Sequence, residues 1–253
     1  MKKFLYTLIG FTLLLLVWQT IIFFGHYEEA LFPSPLKVGE GIVTLIQNGT
    51  LIEHIRISLI RFFIGYLSAV TVAIFLGLFL GRTKWLWTIL DPIVQILRPI
   101  SPIAWAPFIV LWFGIGDIPA IVIIFIAAFF PVLLSTVSAV RKINPTYLKV
   151  AANFEIKQPA LLFKVIFPAA FPHIANGLHL ALGTAWIFLV SGEMIGAQSG
   201  LGYLIIDARN SLRLDHVLAG IIFIGLLGLL LDKAIHLFER WVEKQWGISS
   251  INQ

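Results

Sequence analysis

The feature that most constrains this chain is a series of apolar runs long enough to cross a lipid bilayer. A membrane helix needs about 20 apolar residues, because each adds about 1.5 Å along the axis and the hydrocarbon core is about 30 Å thick. Such runs occupy 4–24, 62–81, 118–140, 164–193 and 217–238, and only the last carries charges well inside it, at positions 232 and 233. The sequence therefore predicts an all-α, polytopic membrane protein.

A sixth candidate span, at about 87–113, is irregular. It contains Asp91, Arg98 and prolines at positions 92, 99, 102 and 107. Proline removes a backbone donor, and lipid offers no partner for the carbonyl that is left. We therefore expect a helix that is kinked or broken near 99–102 and lies inside a bundle or beside a watery cavity. Asp91 is predicted to be a helix N-cap at the membrane face.

Composition excludes several other classes of protein. Hydrophobic residues make up 59% of the chain and charged residues 12%, whereas soluble domains carry about 25% charged residues. Disordered, fibrous and nucleic-acid-binding proteins are thereby excluded. The absence of cysteine excludes disulfides, Fe–S clusters and thiolate zinc sites. The first run is too long for a signal peptide and lacks a cleavage site, so we expect it to remain as a helix.

Six spans place both termini on one side of the membrane, and the basic residues indicate which side. With cytoplasmic termini, twelve of the 18 Lys and Arg residues lie inside, Arg98 lies in the membrane, and five lie outside: Lys37, Arg56, Arg61, Arg209 and Arg213. Basic residues concentrate in cytoplasmic loops. We therefore expect cytoplasmic termini, a cytoplasmic tail at 241–253, and Trp246 at the inner interface.

Two segments are longer than a connection between helices requires. The outer one, 25–55, contains Glu28, Glu29 and the turn Pro33–Pro35, followed by a predicted amphipathic helix at 36–46. That helix could lie along the membrane surface or contact an external partner, and the sequence does not decide between these interpretations.

The inner segment, 141–168, is predicted to fold into two short helices. Asn144 and Pro145 are a typical helix start, and this helix should end near Phe154. A corner at 155–158 and a second helix from Pro159 to Pro168 should follow. The apolar residues of the whole inner segment favour a protein contact over a membrane-surface hairpin. They are Tyr147, Val150, Ala151, Phe154, Leu161, Leu162 and Val165.

Other patterns argue against chemistry on this chain. The glycine-rich stretch 192–216 has no basic residue beside its glycines, and no Gly-x-x-x-x-Gly-Lys-Ser/Thr motif for ATP occurs. His173 and His179 are six residues apart. Residues on one face of a helix that could share a metal ion are three or four apart, so this pair does not predict a metal site. Gly77 and Gly81 form a Gly-x-x-x-Gly pair, which predicts close helix packing.

Arg98 and Glu193 are the charged residues that are hardest to place in water. Ionisable groups inside a membrane protein are costly and suggest function. Arg98 could attract an anionic solute, or it could bond carbonyls freed by Pro99 and Pro102. Glu193 could line the same path or lie at the outer interface.

Three stretches resemble a known family. Residues 97–107, Leu-Arg-Pro-Ile-Ser-Pro-Ile-Ala-Trp-Ala-Pro, run into Leu-Trp-Phe-Gly-Ile-Gly at 111–116. Residues 193–203 read Glu-Met-Ile-Gly-Ala-Gln-Ser-Gly-Leu-Gly-Tyr, and 31–35 read Leu-Phe-Pro-Ser-Pro. These are similar to signatures of the aliphatic sulfonate, taurine and nitrate permeases of ATP-binding-cassette (ABC) importers.

The inner segment resembles the loop by which those permeases dock their ATPase. The family loop reads Glu-Ala-Ala, three residues, Gly, nine residues, then Ile-x-Leu-Pro, and it aligns with 149–151, Glu155 and 165–168. The resemblance assigns these residues to the coupling loop: Tyr147, Lys149, Val150, Ala151, Ala152, Phe154, Glu155, Val165 and Pro168.

Two departures from the family pattern have physical consequences. Lys149 reverses the charge of the family's glutamate, so the partner ATPase must differ there or leave that position in water. Glu155 replaces a glycine that can adopt positive φ at low cost. We therefore expect the corner to be built differently, around Lys157, Gln158 and Pro159.

The resemblance implies a type I ABC importer permease in a bacterial inner membrane. It implies a domain at 1–57 with the first span and outer segment, and a transmembrane domain at 58–240 with the coupling loop at 141–168. Implied partners are ATPase subunits, an extracytoplasmic solute-binding protein and a second permease copy. No cofactor and no enzyme activity are implied. A thiamine-precursor pyrimidine remains an alternative solute, and an ion-coupled carrier an alternative class.

Overall fold

The computed structural model describes residues 2–25 and 31–245, and every regular element in these ranges is helical. No strand occurs in the described ranges, which confirms the all-α prediction. Glu28, Glu29, Trp246 and the tail from residue 246 onward lie outside the described residues. The α-helices are α1 (Lys2–Gly25), α2 (Pro35–Gln47), α3 (Thr50–Arg82), α4 (Lys84–Leu97), α5 (Ala106–Phe113), α6 (Asp117–Arg141), α7 (Pro145–Asn153), α8 (Phe167–Gly196), α9 (Leu201–Asn210) and α10 (Leu214–Gln245).

The predicted membrane spans are present as helices. Five are long and apolar enough to cross a bilayer: Leu5–Gly25, Thr50–Arg82, Asp117–Arg141, Leu162–Gly196 and Leu214–Val242. The sixth is a pair, Lys84–Leu97 and Pro102–Phe113, bent by 84° at the break between them. A short 3-10 turn at Pro102–Trp105 begins the second half. The prediction of an irregular span broken near 99–102 is confirmed.

The N-cap prediction for Asp91 is wrong, because α4 begins at Lys84 and continues through Pro92. Trp87 and Val94, seven residues apart, are both buried, so the helix presents one continuous buried face on both sides of the proline. The Asp91 carboxylate accepts a hydrogen bond from Gln95 Nε2 (3.2 Å) one turn further on.

The chain divides into two compact units, one of 1–58 with 199–226 and one of 59–198 with 227–253. In the first unit, α2 begins at an N-cap, where Ser34 Oγ accepts from Lys37 N (3.3 Å). The predicted helix at 36–46 is therefore confirmed. Gly41 lies against Asp215, since a Cβ there would be 3.1 Å from the Asp215 carboxylate. This contact packs α2 onto the start of α10.

The glycine-rich stretch places the N-terminus of α9 against α3, within the same unit. Gly200 has φ +99°, which side chains rarely adopt. Its N–H donates to His54 Nδ1 (3.0 Å), and the Leu201 N–H donates to Ser58 Oγ (2.8 Å). The first amides of α9 are thus bonded to side chains of this chain.

In the second unit, α3, α6 and α8 pack closely through glycines. A Cβ at Gly77 would lie 2.6 Å from Thr136 Cβ, and one at Gly81 would lie 2.7 Å from Val140 Cβ. The prediction that this glycine pair marks close helix packing is confirmed. On the other side of α6, a Cβ at Gly177 would lie 2.4 Å from Ser135 Cβ, so α8 approaches α6 equally closely.

Candidate functional site

The segment 141–168, which the family resemblance predicts to be the coupling loop, begins with a capped helix, as predicted. Asn144 Oδ1 accepts a hydrogen bond from Thr146 N (2.9 Å), and Pro145 occupies the first turn. α7 then runs to Asn153. An asparagine cap satisfies an amide that the helix cannot, and proline fits where no donor is needed.

The expectation for the corner after α7 is wrong, because Glu155 itself adopts the left-handed conformation, with φ +53°. The Glu155 N–H donates to Ala152 O (2.9 Å) and the Ile156 N–H donates to Ala151 O (3.0 Å). These are the two hydrogen bonds of a Schellman C-cap. Left-handed backbone costs a non-glycine residue about 1–2 kcal/mol, and the carbonyls satisfied at the helix end offset that cost.

The expected second short helix is also corrected. A π-helical turn at Leu162–Ile166 follows the corner and leads directly into α8 without an end at Phe167–Pro168. Pro168 lies in the first turn of α8, where a proline is tolerated. Pro172 lies further inside the same helix. The coupling loop is therefore one capped helix joined by a tight corner to the foot of a long span.

The predicted coupling residues are distributed over both sides of α7. Ala151 is buried, and α7 packs there against the π-helical turn. Phe154 is 76% exposed and Tyr147 57%, and Leu148 and Val150 are exposed as well. Three further predicted coupling residues are exposed: Lys149, Ala152 and Glu155. The last two, Val165 and Pro168, are half-buried. We call Tyr147, Leu148, Val150 and Phe154 the α7 apolar face.

A buried group of charges joins three helices of the second unit. Arg61 on α3 is 2% exposed, and its Nη1 donates to Glu193 Oε1 on α8 at 2.9 Å. Its Nε donates to Asp117 Oδ1 at the start of α6 (2.8 Å), and its Nη2 donates to the same oxygen. Glu193 is fully buried, whereas the Asp117 side chain is 67% exposed. The structure therefore places Glu193 in an ion pair inside the protein.

Arg61 was assigned to the outer loops from sequence, and this assignment is wrong. The apolar run was taken to begin at Phe62, but α3 begins at Thr50, which places Arg61 in the second third of the helix. The sequence signal that could have revealed it is the apolar pattern on both sides, Leu59-Ile60 before and Phe62-Phe63 after. An arginine between such pairs on one helix must find a carboxylate or leave the membrane.

Arg98 lies at a different place from Glu193. It follows the last turn of α4, and its N–H donates to Val94 O (2.9 Å). Its exposed side chain lines a half-open cavity of about 520 Å³ between the bent span, α6 and α8. The remaining walls are mainly apolar, with three hydroxyl groups: Ile100, Pro102, Ile126, Ala127, Phe130, Pro131, Leu134, Ser135, Ser138, Leu180, Thr184 and Phe188. Arg98 is thus the cationic group of an otherwise apolar and hydroxyl-lined cavity.

Comparison with known proteins identifies relatives of the same architecture. The family model described as binding-protein-dependent transport system inner membrane component matches residues 51–244. The putative aliphatic sulfonates transport permease protein SsuC of Bacillus subtilis (strain 168) is 36% identical over 224 residues, covering 88% of this chain and 81% of the relative. The taurine transport system permease protein TauC of Escherichia coli (strain K12) is 34% identical, covering 90% and 84%. The nitrate import permease protein NrtB of Synechocystis sp. is 34% identical, covering 92% and 87%.

Solved structures show the same fold. A chain of the MetNI methionine ABC transporter in an inward-facing conformation superposes with a TM-score of 0.61 at 20% identity, covering 76% of this chain and 94% of that one. A second crystal form of the same transporter gives a TM-score of 0.56 at 21% identity. The likeness supports the predicted type I importer permease fold.

Proposed function

This chain belongs to the binding-protein-dependent transport system inner membrane components, and from that membership we propose that it is the membrane-spanning permease of an ATP-driven importer. The chain would form the path for a small anionic solute. A second copy would complete that path, separate ATPase subunits would bind the coupling loop, and an extracytoplasmic protein would deliver the solute. Hydrolysis of ATP would take place on the ATPase subunits.

The observation that carries the ATPase contact is the α7 apolar face. Phe154 and Tyr147 are large, aromatic and mostly exposed, and they stand on a helix that is fixed at both ends by its cap and its corner. Aromatic side chains are enriched at the centres of protein interfaces, because they bury much area at low entropic cost. The contact would therefore form without prior folding of the loop.

Lys149 places a positive charge beside the proposed ATPase contact. It is exposed on α7 two residues after Tyr147, beside the α7 apolar face and not within it, at the position where the resembling family has a glutamate. We propose that the ATPase of this system presents an acidic or solvated surface opposite Lys149. An ATPase selected for a glutamate would meet the wrong charge there, which would make ATPases of other systems poor substitutes.

The ATPase contact is tested by co-expressing this chain with the ATPase subunit of the importer and measuring co-purification. The double variant Tyr147→Ala/Phe154→Ala should reduce affinity by about 30-fold or more, since interface hot spots contribute about 2 kcal/mol or more. Leu212→Ala is the matched control, because Leu212 is as exposed as Phe154, at 76%, but lies far along the chain between α9 and α10. Undiminished ATPase recovery with the double variant would reject the proposed contact.

Two observations support the proposal that the solute is an anion. One is Arg98, and the other is the names of the relatives, which refer to aliphatic sulfonates, taurine and nitrate. Arg98 supplies a positive charge in a cavity with few other polar groups. Such an arginine would attract a sulfonate or nitrate and repel a cation. Glu193 would act on the path only indirectly, since its carboxylate is held by Arg61.

The role of Arg98 is tested by uptake of radiolabelled taurine, sulfonate and nitrate into cells expressing the full transporter. Arg98→Gln should lower uptake kcat/KM by about 10–100-fold, as expected for a lost charged hydrogen bond of about 1.5–3 kcal/mol, while Arg98→Lys should retain part of it. Arg209→Gln, an exposed arginine at the end of α9, is the control. Full uptake by Arg98→Gln at normal expression would remove Arg98 from the path.

A further inference from the structure

Two histidines and two carboxylates from α8 and α10 meet in the second unit, away from Arg61 and Arg98. His179 Nδ1 lies 3.4 Å from Glu239 Oε2, and His236 Nδ1 lies 3.7 Å from the same oxygen. On the other side of the first ring, His179 Nε2 lies 2.8 Å from Asp232 Oδ1. Three side chains with metal-binding atoms, His179, His236 and Glu239, thus converge on one small volume, and Asp232 contacts the far side of the His179 ring.

The spacing on α10 explains how these groups come together. His236 and Glu239 are three residues apart and Asp232 lies one turn earlier, so all three share one face of the helix. α8 packs against that face: a Cβ at Gly228 would lie 3.0 Å from Trp186 Nε1, and Phe171 and Ala175 cluster with Val242. From sequence, His173 was the partner considered for His179. The structure pairs His179 with a helix more than 50 residues further along the chain.

Asp232 fixes which nitrogen of His179 can bind a cation. A carboxylate only accepts hydrogen bonds, so the 2.8 Å contact places a proton on Nε2. The other ring nitrogen, Nδ1, faces Glu239 Oε2 at 3.4 Å, so it is the nitrogen available to a shared cation. A metal ion bound to both atoms would bridge this separation.

The distances suit a tetrahedral metal ion. Ligands at about 2.0–2.2 Å from zinc in tetrahedral geometry are about 3.4 Å apart, and two of the separations here are 3.4 and 3.7 Å. The ligand atoms of His179, His236 and Glu239 all lie within 4.8 Å of one another, so small side-chain rotations would complete the site. His236 is 52% exposed, which gives an ion a way in.

We propose that His179, His236 and Glu239 bind a divalent transition-metal ion, Zn²⁺ in the first place, with Asp232 as the positioning residue. Two imidazoles and one carboxylate match the ligand preference of zinc and leave one position for water, whereas Ca²⁺ and Mg²⁺ prefer oxygen ligands throughout. A histidine ligand that donates its other ring N–H to a carboxylate is the usual outer support of such sites. The ion would tie α8 to α10, independently of the solute that the chain carries.

The test uses the full-length permease, purified on a tag without histidine, stripped with EDTA and titrated with Zn²⁺ and with Co²⁺. We expect one Zn²⁺ per chain by elemental analysis, and a tetrahedral Co²⁺ absorption band that Zn²⁺ displaces. His179→Asn and His236→Asn should each abolish stoichiometric binding. Asp232→Asn should weaken it by about 10–100-fold, as loss of an outer support does. His173→Asn, on an exposed position of the same helix, should bind as the unaltered chain does.

Melting of each metal-free variant, compared with the metal-free unaltered chain, shows whether it is folded. Only variants that melt within a few degrees of the unaltered chain are scored. The proposal is overturned if the folded, unaltered chain takes up no stoichiometric Zn²⁺. It is equally overturned if a folded His236→Asn variant retains the Co²⁺ band. In either case the cluster would be a proton-linked histidine–carboxylate pair. ATPase co-purification is a separate measurement, so either result leaves the proposed transport function open to its own test.

Discussion

Arg61 is the residue on which the buried Glu193 carboxylate depends. It is the cation for both Glu193, which is fully buried, and Asp117, which is mostly exposed. Removing one member of a buried ion pair leaves the other charged in a low-dielectric interior, which costs about 3–5 kcal/mol, whereas replacing both members with apolar groups is often neutral. We therefore expect the intact pair to add little net stability, and the loss of one member to be costly.

This dependence predicts the behaviour of three variants. Arg61→Met should lower the free energy of unfolding by about 3–5 kcal/mol, because Glu193 loses its cation. Arg61→Met/Glu193→Met should recover most of that loss, since Asp117 can remain solvated. Unfolding of the purified chain in detergent, by chemical denaturation, measures both. Arg209→Met is the control, and equal destabilisation by the single and double variants would refute the pairing.

The residue scale is also where prediction from sequence was weakest. Arg98 and Glu193 could be found because the first lies in the irregular span and the second ends a long apolar run, but what each contacts depends on which helices meet. Glu155 shows the same limit. Its left-handed φ was judged too costly from the residue type alone, and the carbonyls of Ala151 and Ala152 that offset the cost become visible only when the helix end is known.

At the scale of elements, the packing of α8 depends on where its glycines point. Gly177 faces α6 so closely that a Cβ would lie 2.4 Å from Ser135 Cβ, whereas a Cβ at Gly183 has nothing within 4 Å. Both glycines lie inside the same helix. Comparing substitutions at the two positions therefore separates the effect of close helix packing from the helix propensity of glycine itself.

Alanine at these two positions should have opposite effects. Gly177→Ala should destabilise the chain by about 1–3 kcal/mol, because the added methyl group must push α6 away. Gly183→Ala should stabilise it by about 0.5–1 kcal/mol, because alanine is the better helix former. The midpoints of thermal unfolding in one detergent, measured side by side, give the comparison. If both variants lost equal stability, close contact at Gly177 would not be the cause.

The elements were more predictable than their ends. Hydropathy located the spans, and the prolines near 99–102 identified the broken one. The continuation of the segment 141–168 into α8 was not predicted, because the second short helix was expected to end at Pro168. A π-helical turn before Pro168 and the start of α8 at Phe167 allow the chain to remain helical, and neither has a local sequence signal.

At the scale of the whole molecule, the direction of insertion follows from the distribution of basic residues. Arg61 is inside the helical bundle of its unit and no longer counts with the outer loops, which leaves four outer basic residues against twelve inner ones. The bias that the positive-inside rule uses is therefore stronger than the sequence alone indicated. Cytoplasmic termini remain the prediction.

The absence of cysteine makes this direction simple to measure. Lys149→Cys on α7 should react with a membrane-impermeant maleimide only after the cells are opened, whereas Val43→Cys, on the exposed side of α2, should react in intact cells. The unaltered chain is the blank, because it has no thiol. Labelling of Lys149→Cys in intact cells would invert the topology and remove the α7 apolar face from the reach of any cytoplasmic protein.

The unbroken helix from Leu162 to Gly196 has a mechanical consequence. Its 35 residues make a rod of about 50 Å, at about 1.5 Å per residue, with the corner that we propose to contact the ATPase at one end and Glu193 near the other. A swing of about 5° at the first end would displace the second end by about 4 Å. Arg61 is paired with Glu193 near that second end. A small movement at the corner would therefore strain this ion pair at the opposite end of the helix.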